Sequence, residues 1–247
     1  MGFVKRFLSY TNPEGKFSEE NQTLVKVQID NSYDLGWKKE DILLFTNFPY
    51  EYNGVKAIQI PCLDISWDRT SNKIPVIAEL LKRNLLDHDL YFYSDFDAYE
   101  NVSVQDVPMD GYDIGLTSYG YKPQVNGGSF FFRDTTVDFF THWDRRLRMI
   151  NRTRADEKTM TDMTRNGELD PWDWKLLDIS YNFGQRGPKL CYEQAEKPLK
   201  VLHFHPYYRF YPKDDTNINV FMHGHNRHKI PMMTDRLAAV FKHNGVS

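Results

Sequence analysis

Asp95 and Asp97 stand one residue apart in YFYSDFDAYE, directly after a run of aromatics that reads as buried. Residues two apart in a strand project to one face, so the two carboxylates point together if the extended conformation runs through Phe96. Two such charges repel, and a basic partner, solvent or a hard divalent cation with oxygen ligands must offset them. Open α/β sheets bind ligands beyond the carboxyl ends of their strands, and this pair sits at such an end. A solvated turn is the plain alternative, because a motif this short arises often by chance.

Other residues with chemical potential lie downstream. His203, His205, His223, His225 and His228 fall in one C-terminal stretch. If VLHFH is a strand, His203 and His205 share a face, and a neutral imidazole ligates Mn²⁺ as well as softer metals. A zinc site made of the histidines alone lacks the helical HExxH arrangement and any nearby cysteine. The segment LDPWDWKLLD sets Asp170, Asp173 and Asp178 among tryptophans. Aromatic faces stack on sugar rings while carboxylates accept hydrogen bonds from hydroxyls, although Asp170 and Pro171 also read as a simple helix start. Asn126, Gly127 and Gly128 precede an apolar strand, where paired glycines admit either a ligand or a plain turn.

These residues need elements to carry them. FVKRFLSY, DILLFTNF, VKAIQI and DLYFYSDF read as short strands closed by turn residues. Between the last two, Ser71 and Asn72 cap an expected helix with Pro75 in its first turn, and Ile74, Ile77, Ala78, Leu81 and Leu85 form its apolar stripe. LVKVQIDNSYDLGW fits either a strand, through alternating Val25, Val27 and Ile29, or a helix by its length. IGLTSYG and GGSFFFR follow as strands, then a helix with Phe140, Trp143, Leu147 and Ile150 on one face. The polar run 151–169 reads as a loop, a candidate lid. A helix is expected from Pro171, a strand at VLHFH, and a final helix in TDRLAAVFKHNG stopped by Gly245. Strands alternating with helices give an α/β class with a mostly parallel sheet.

Composition narrows the function. The 247 residues suit one large domain, and 40% hydrophobic content supports a real core. The 15% aromatic content suits flat ligands such as sugars and bases. A net charge of -3 gives no general attraction to nucleic acid or acidic lipid. Cys62 and Cys191 read as reduced core thiols rather than a scaffold or redox pair. The N-terminus lacks the apolar core of a signal peptide and no window approaches a membrane span, which points to a cytoplasmic location, the host cytoplasm if the protein is viral.

The DHDLYFYSDFDAYE, VNGGSFFFRDT and VLHFHP segments, in that order, resemble the nucleotide-sugar-dependent glycosyltransferases of the GT-A fold. IDNSYDLGW followed by DILLFTNFPYEYNGVKA is similar to small glycosyltransferases of large DNA viruses and phages. The resemblance implies a Rossmann-like mixed, mostly parallel central sheet flanked by helices, as one domain over 1–247. Within it, 1–110 would bind nucleotide, 111–210 donor sugar and acceptor, and 211–247 would be a C-terminal extension. It implies that Asp95 and Asp97, with His203 or His205, hold Mn²⁺ or Mg²⁺ against the diphosphate of a UDP- or GDP-sugar, with Phe96 between the two aspartates in the donor-binding segment. Ser9, Tyr10 and Thr11 would lie under the base and ribose, Lys73 against phosphates or sugar, and Asn126, Gly127 and Gly128 along the donor-sugar pocket. Asp173 matches the family's acidic position, and with Asp170 would orient hydroxyls of a glycan acceptor or act as a general base; Trp174 stands where retaining members often carry Glu or Gln. A DxD phosphatase or phosphotransferase is a rival, although in those enzymes the pair follows the first strand. A non-catalytic sugar-binding module is another.

Overall fold

The computed structural model describes residues 4–63, 68–87, 89–122, 124–150, 155–184, 189–204 and 232–246. Its centre is built from aromatic strands. Strands β1 (Val4–Tyr10), β2 (Ile42–Thr46), β5 (Ile58–Gln59) and β6 (Leu90–Ser94) run parallel, with β1 between β2 and β6. Strand β9 (Val125–Arg133) runs antiparallel to both β6 and β8 (Ile114–Ser118), and β10 (Trp174–Leu176) closes the far edge parallel to β8. The order across this seven-stranded sheet is β10-β8-β9-β6-β1-β2-β5. VKAIQI is divided: Val55–Lys56 forms β4, which pairs with β3 (Glu51–Tyr52), before β5 begins.

Strand alternation sorts the side chains onto two cores. Phe7, Tyr91, Tyr93, Phe130 and Phe132 face helices α2 (Lys73–Lys82), α3 (Val137–Arg148) and α4 (Ala155–Arg165). Leu8, Phe92 and Phe131 face the side covered by α1 (Glu19–Asp34). Along the β6–β9 register, Tyr91 stacks on Phe132, Phe92 on Phe131 and Tyr93 on Phe130, with centroids 5.3, 4.8 and 4.7 Å apart. Cross-strand aromatic pairs of this kind are strong sheet stabilisers. Much of the aromatic surplus read above as ligand-directed is therefore spent inside the sheet.

A second sheet of three strands has the order β11-β12-β7, formed by Phe183–Gly184, Val201–His203 and Ala98–Glu100. Helix α5 (Lys189–Gln194) and the final helix, α6 (Asp235–His243), complete a third core with Val27, Tyr99, Leu202 and Phe204. Thr234 caps α6 through its hydroxyl, and Gly245 follows at φ +74°, where a left-handed residue ends a helix. No helix among the described residues is long and apolar enough to cross a membrane.

Several expectations change. LVKVQIDNSYD is helical, because the buried face of α1 includes Gln28, Asn31 and Ser32 beside Val25, Val27 and Ile29. The 151–169 run is no open loop: residues 155–165 form α4, with Met160 and Met163 packed into the core. No helix starts at Pro171; the chain turns there and enters β10. Leu85 lies beyond the end of α2 and is 53% exposed, and Cys62 is exposed while Cys191 is buried.

Candidate metal centre

Strand β6 ends at Ser94, so Asp95 and Asp97 lie on a turn rather than on one extended face. The Asp95 amide donates to the Gly128 carbonyl (2.8 Å), and the Ala98 amide closes the turn on the Asp95 carbonyl (3.0 Å). The chain then continues as β7 in the smaller sheet, where Ala98 pairs with His203 of antiparallel β12. The Phe204 amide donates to the Asp97 carbonyl (2.8 Å), fixing the two segments together. Asp95, Asp97 and His203 thereby bring one ligand atom each within 4.8 Å of one another. His205 lies outside the described residues.

The surroundings of His203 suit a metal ligand. Its Nδ1 lies 3.0 Å from Asn182 Oδ1 and its Nε2 3.3 Å from Asp97 Oδ1. The Asn182 amide nitrogen donates to Thr117 Oγ1 (3.0 Å) and to the Asn126 carbonyl (3.3 Å), so its oxygen faces the imidazole as an acceptor. That arrangement puts the proton on Nδ1 and aims Nε2 at the carboxylates, as outer partners of metal-bound histidines do. Burial pushes the His203 imidazole down, but Asp97, Asp95 and Glu157 outweigh it and raise its pKa. Two hard carboxylates and one borderline imidazole form a donor set that fits a divalent cation such as Mn²⁺ or Mg²⁺.

Gly128 has a steric reason. A Cβ there would come 2.1 Å from His203 Cε1 and 2.4 Å from Nδ1. Gly128→Ala must therefore push the imidazole off its position, costing about 1–3 kcal/mol of stability. We expect it to weaken Mn²⁺ binding at least about tenfold, measured by Mn²⁺ titration beside a thermal melt. An unchanged affinity would separate His203 from the site.

Lys73 is the cationic partner. Only 5% exposed, it reaches Asp95 Oδ1 (3.0 Å) and Oδ2 (3.3 Å) and Asp156 Oδ2 (2.9 Å). Burial pushes the ammonium down, yet Asp156 and Asp95 prevail and hold its pKa well above the usual value. The Tyr93 hydroxyl also donates to Asp95 Oδ1 (2.6 Å). Burial raises the Asp95 carboxyl, Lys73 opposes that shift, and Asp97 adds to it.

Asp156 and Glu157, absent from the sequence-based candidates, open α4 directly beside this cluster. The Ala155 and Asp156 amides donate to Asp68 Oδ2 (2.9 Å) and Ser71 Oγ (3.1 Å), so Ser71 caps this helix rather than α2. Tyr119 Oη and Gln124 Nε2 donate to Glu157 at 2.6 and 3.2 Å. Burial raises the Glu157 pKa, and Asp156 adds to the shift. At Gly127 a Cβ would meet Asp156 Oδ2 at 2.8 Å, so Asn126–Gly128 run between this acidic pair and His203. The available sequence signal was two acids in the first turn of a helix.

The remaining candidates divide. Tyr10, at the end of β1, stacks on Phe96 with centroids 5.8 Å apart and planes 15° apart, next to the metal turn. Thr11 accepts from Asn72 at 3.3 Å, and Ser9 pairs with Phe45 at the same end of the sheet. Asp170 and Asp173 are exposed and are not brought to the cluster. The Asp173 carbonyl accepts from the Asp113 amide, and the Asp113 carbonyl from the Arg133 amide, opposite Leu90. That level is the beginning of β6 (Leu90–Ser94), about 13 Å along the strand from its carboxyl end at about 3.3 Å per residue.

No protein-family model and no curated protein matches the sequence. Among solved structures, the chain is similar to a glycosyltransferase involved in the glycosylation of the major capsid of PBCV-1, at 10% identity and a TM-score of 0.51. The match covers 82% of this chain and 93% of that one. It is also similar to the glycosyltransferase GlyE of Streptococcus pneumoniae TIGR4, at 9% identity and a TM-score of 0.54. That match covers 82% of this chain and 55% of GlyE, so the chain spans about half of GlyE's length. The chain shares its fold with these two glycosyltransferases. Its mixed and mainly parallel central sheet agrees with the architecture expected from sequence. Identities this low carry the architecture alone, and residue roles rest on the distances above.

Proposed function

We propose that this protein is a divalent-metal-dependent glycosyltransferase that moves a sugar from a nucleoside-diphosphate sugar to a hydroxyl of a glycan acceptor. The observation that carries the reading is the convergence of Asp95, Asp97 and His203 at the carboxyl end of β6 within this fold. Asp95, Asp97 and His203 would hold Mn²⁺ or Mg²⁺. A cation there supplies Lewis-acid stabilisation of the negative charge developing on the departing diphosphate. Lys73 adds fixed positive charge and holds the Asp95 and Asp156 carboxylates in place. Asp156 and Glu157 accept hydrogen bonds from donor-sugar hydroxyls. Gly127 and Gly128 leave room for Asp156 and His203 respectively, while Tyr10, flanked by Ser9 and Thr11, offers a ring face to the base.

The phosphatase reading needs a carboxylate oxygen free to attack phosphorus. Asp95 Oδ1 already accepts from Tyr93 and Lys73, and Oδ2 lies 3.3 Å from the same ammonium. Isothermal titration with UDP- and GDP-sugars, with and without Mn²⁺, tests the proposal. The expected result is nucleotide-sugar binding that requires the metal. Binding of free sugar alone, or no nucleotide binding, would overturn it, and phosphate release from simple monoesters would favour the rival.

A further inference from the structure

We propose that Gln28 is the positioning residue of the metal turn, acting with Ser94 to hold residues 95–98 in the shape that aims both carboxylates at one ion. The inference rests on the metal reading above and adds a part of the machinery that no ligand atom contacts. A turn carrying two like charges has no intrinsic reason to keep them together, so its backbone must be held from behind.

The hold is visible in the carbonyls. Those of Asp95, Phe96 and Ala98 turn back into the protein, where buried acceptors require donors. Gln28 Nε2, from the middle of α1, lies 3.2, 3.1 and 2.9 Å from them respectively. Ser94 Oγ lies 3.2 Å from the Asp95 carbonyl and 2.9 Å from that of Ala98. One amide and one hydroxyl thus grip the turn on the face away from the carboxylates.

The grip is itself oriented. Arg6 Nη2 donates to Gln28 Oε1 and to Ser94 Oγ, both at 2.6 Å. A guanidinium can only donate, so the amide oxygen must face Arg6 and the amide NH₂ must face the turn. By the same logic Ser94 accepts from Arg6 and turns its own proton to a carbonyl. Arg6 has no exposure; its Nε lies 3.5 Å from Glu100 Oε1, and its guanidinium lies 4.3 Å from the Phe92 ring centroid. Glu100 Oε2 in turn accepts from Trp37 Nε1 at 3.2 Å. Burial lowers the Arg6 pKa to about 10, which leaves it charged at neutral pH.

Apolar packing would fill this space more cheaply than a buried ion pair, an amide and a hydroxyl. The chain from Trp37 through Glu100, Arg6 and Gln28 ends on the carbonyls of the metal turn, and that endpoint is the reason for its chemistry.

Gln28→Glu isolates the donor end. It keeps the size and the contact with Arg6 but presents an acceptor oxygen to three carbonyl oxygens. Mn²⁺ affinity is read from free Mn²⁺ by electron paramagnetic resonance in the presence of UDP, with folding checked by circular dichroism. We expect affinity to fall about 10–100-fold, the usual effect of losing an outer-shell partner. The Mn²⁺ needed for half-maximal donor turnover should rise by the same factor, while kcat at saturating Mn²⁺ changes by less than about threefold. A mere loss of folded protein would lower kcat and leave the metal requirement unmoved. Ser94→Ala, a smaller change, should weaken Mn²⁺ in the same direction and decides the matter if Gln28→Glu does not fold. Wild-type affinity in a folded variant overturns the inference; failure of the wild type to bind Mn²⁺ overturns the metal reading instead.

Discussion

Asp97→Ala should remove metal-dependent donor turnover by at least about 10³-fold, the loss of roughly 4 kcal/mol of transition-state stabilisation. The fold should remain intact. The Asp97 side chain is 27% exposed and sits on a turn, and its backbone carbonyl, which accepts from the Phe204 amide, survives the substitution. Two opposing electrostatic effects accompany the change. Asp97 raises the pKa of Asp95, so removing it relieves like-charge repulsion, while the contact with His203 Nε2 is lost. The two effects act in opposite directions, and at a part-exposed turn position the change in stability is expected to stay within about 1 kcal/mol. The measurement is donor turnover against Mn²⁺ concentration beside a thermal melt; preserved turnover would move the metal away from this turn.

Lys73→Met should have the largest effect on stability. Methionine matches the length of the lysine stem but leaves Asp95 and Asp156 without their shared cation. Breaking a buried pair by removing one partner costs about 3–5 kcal/mol. Asp95 keeps 28% side-chain exposure, and water screens part of its charge, so the lower end, about 3 kcal/mol, is expected. At about 2–4 °C per kcal/mol for a chain of this size, the melting temperature of the metal-free protein falls by about 6–12 °C.

The same variant has a defined pH dependence. Burial already raises the Asp95 carboxyl above its ordinary 3.8, and Lys73 is the main force opposing that rise. Without Lys73 the folded pKa climbs further. A carboxyl raised by folding binds more protons folded than unfolded, so its penalty is full above the folded pKa and disappears below the unfolded one. The Asp95 share of the gap between variant and wild type should therefore narrow as the pH falls through the raised pKa towards 3.8. A melting temperature that is pH-independent relative to wild type would assign the loss to packing.

Much of the scaffold was legible because its core elements obey simple periodicities. Tyr91 to Tyr93 and Phe130 to Phe132 are continuous apolar runs, as strands buried on both faces must be. Ile74, Ile77, Ala78 and Leu81 repeat at helical spacing and all are buried in α2. The order of the DxD, the Asn-Gly-Gly segment and the Leu-His-Phe strand pointed to residues that do meet. The two helices misread or left ambiguous share a cause. Helix α1 buries Gln28, Asn31 and Ser32, and α4 buries Asp156, Glu157, Thr159 and Thr161. Gln28 reaches the turn and Asp156 and Glu157 line the site, and with inward faces this polar a search for apolar periodicity passes over both helices. Asp170 and Asp173 lie away from that site because the three-residue strand β10 ties this segment to the start of β8, a long-range pairing that no local pattern announces.

The metal turn is also the place where the chain leaves one sheet for the other. Asp95 and Asp97 lie between β6 of the large sheet and β7 of the small one, and His203 arrives on β12, far along the chain. An ion held by all three ligands would act as a clasp across that seam. Its grip would tighten the docking of the small sheet, and with it α6, whose Arg236 donates to the Glu100 and Asn101 carbonyls at the end of β7. Cleavage within the C-terminal third by a protease should then slow when Mn²⁺ is added, because mass action favours the docked form that binds it.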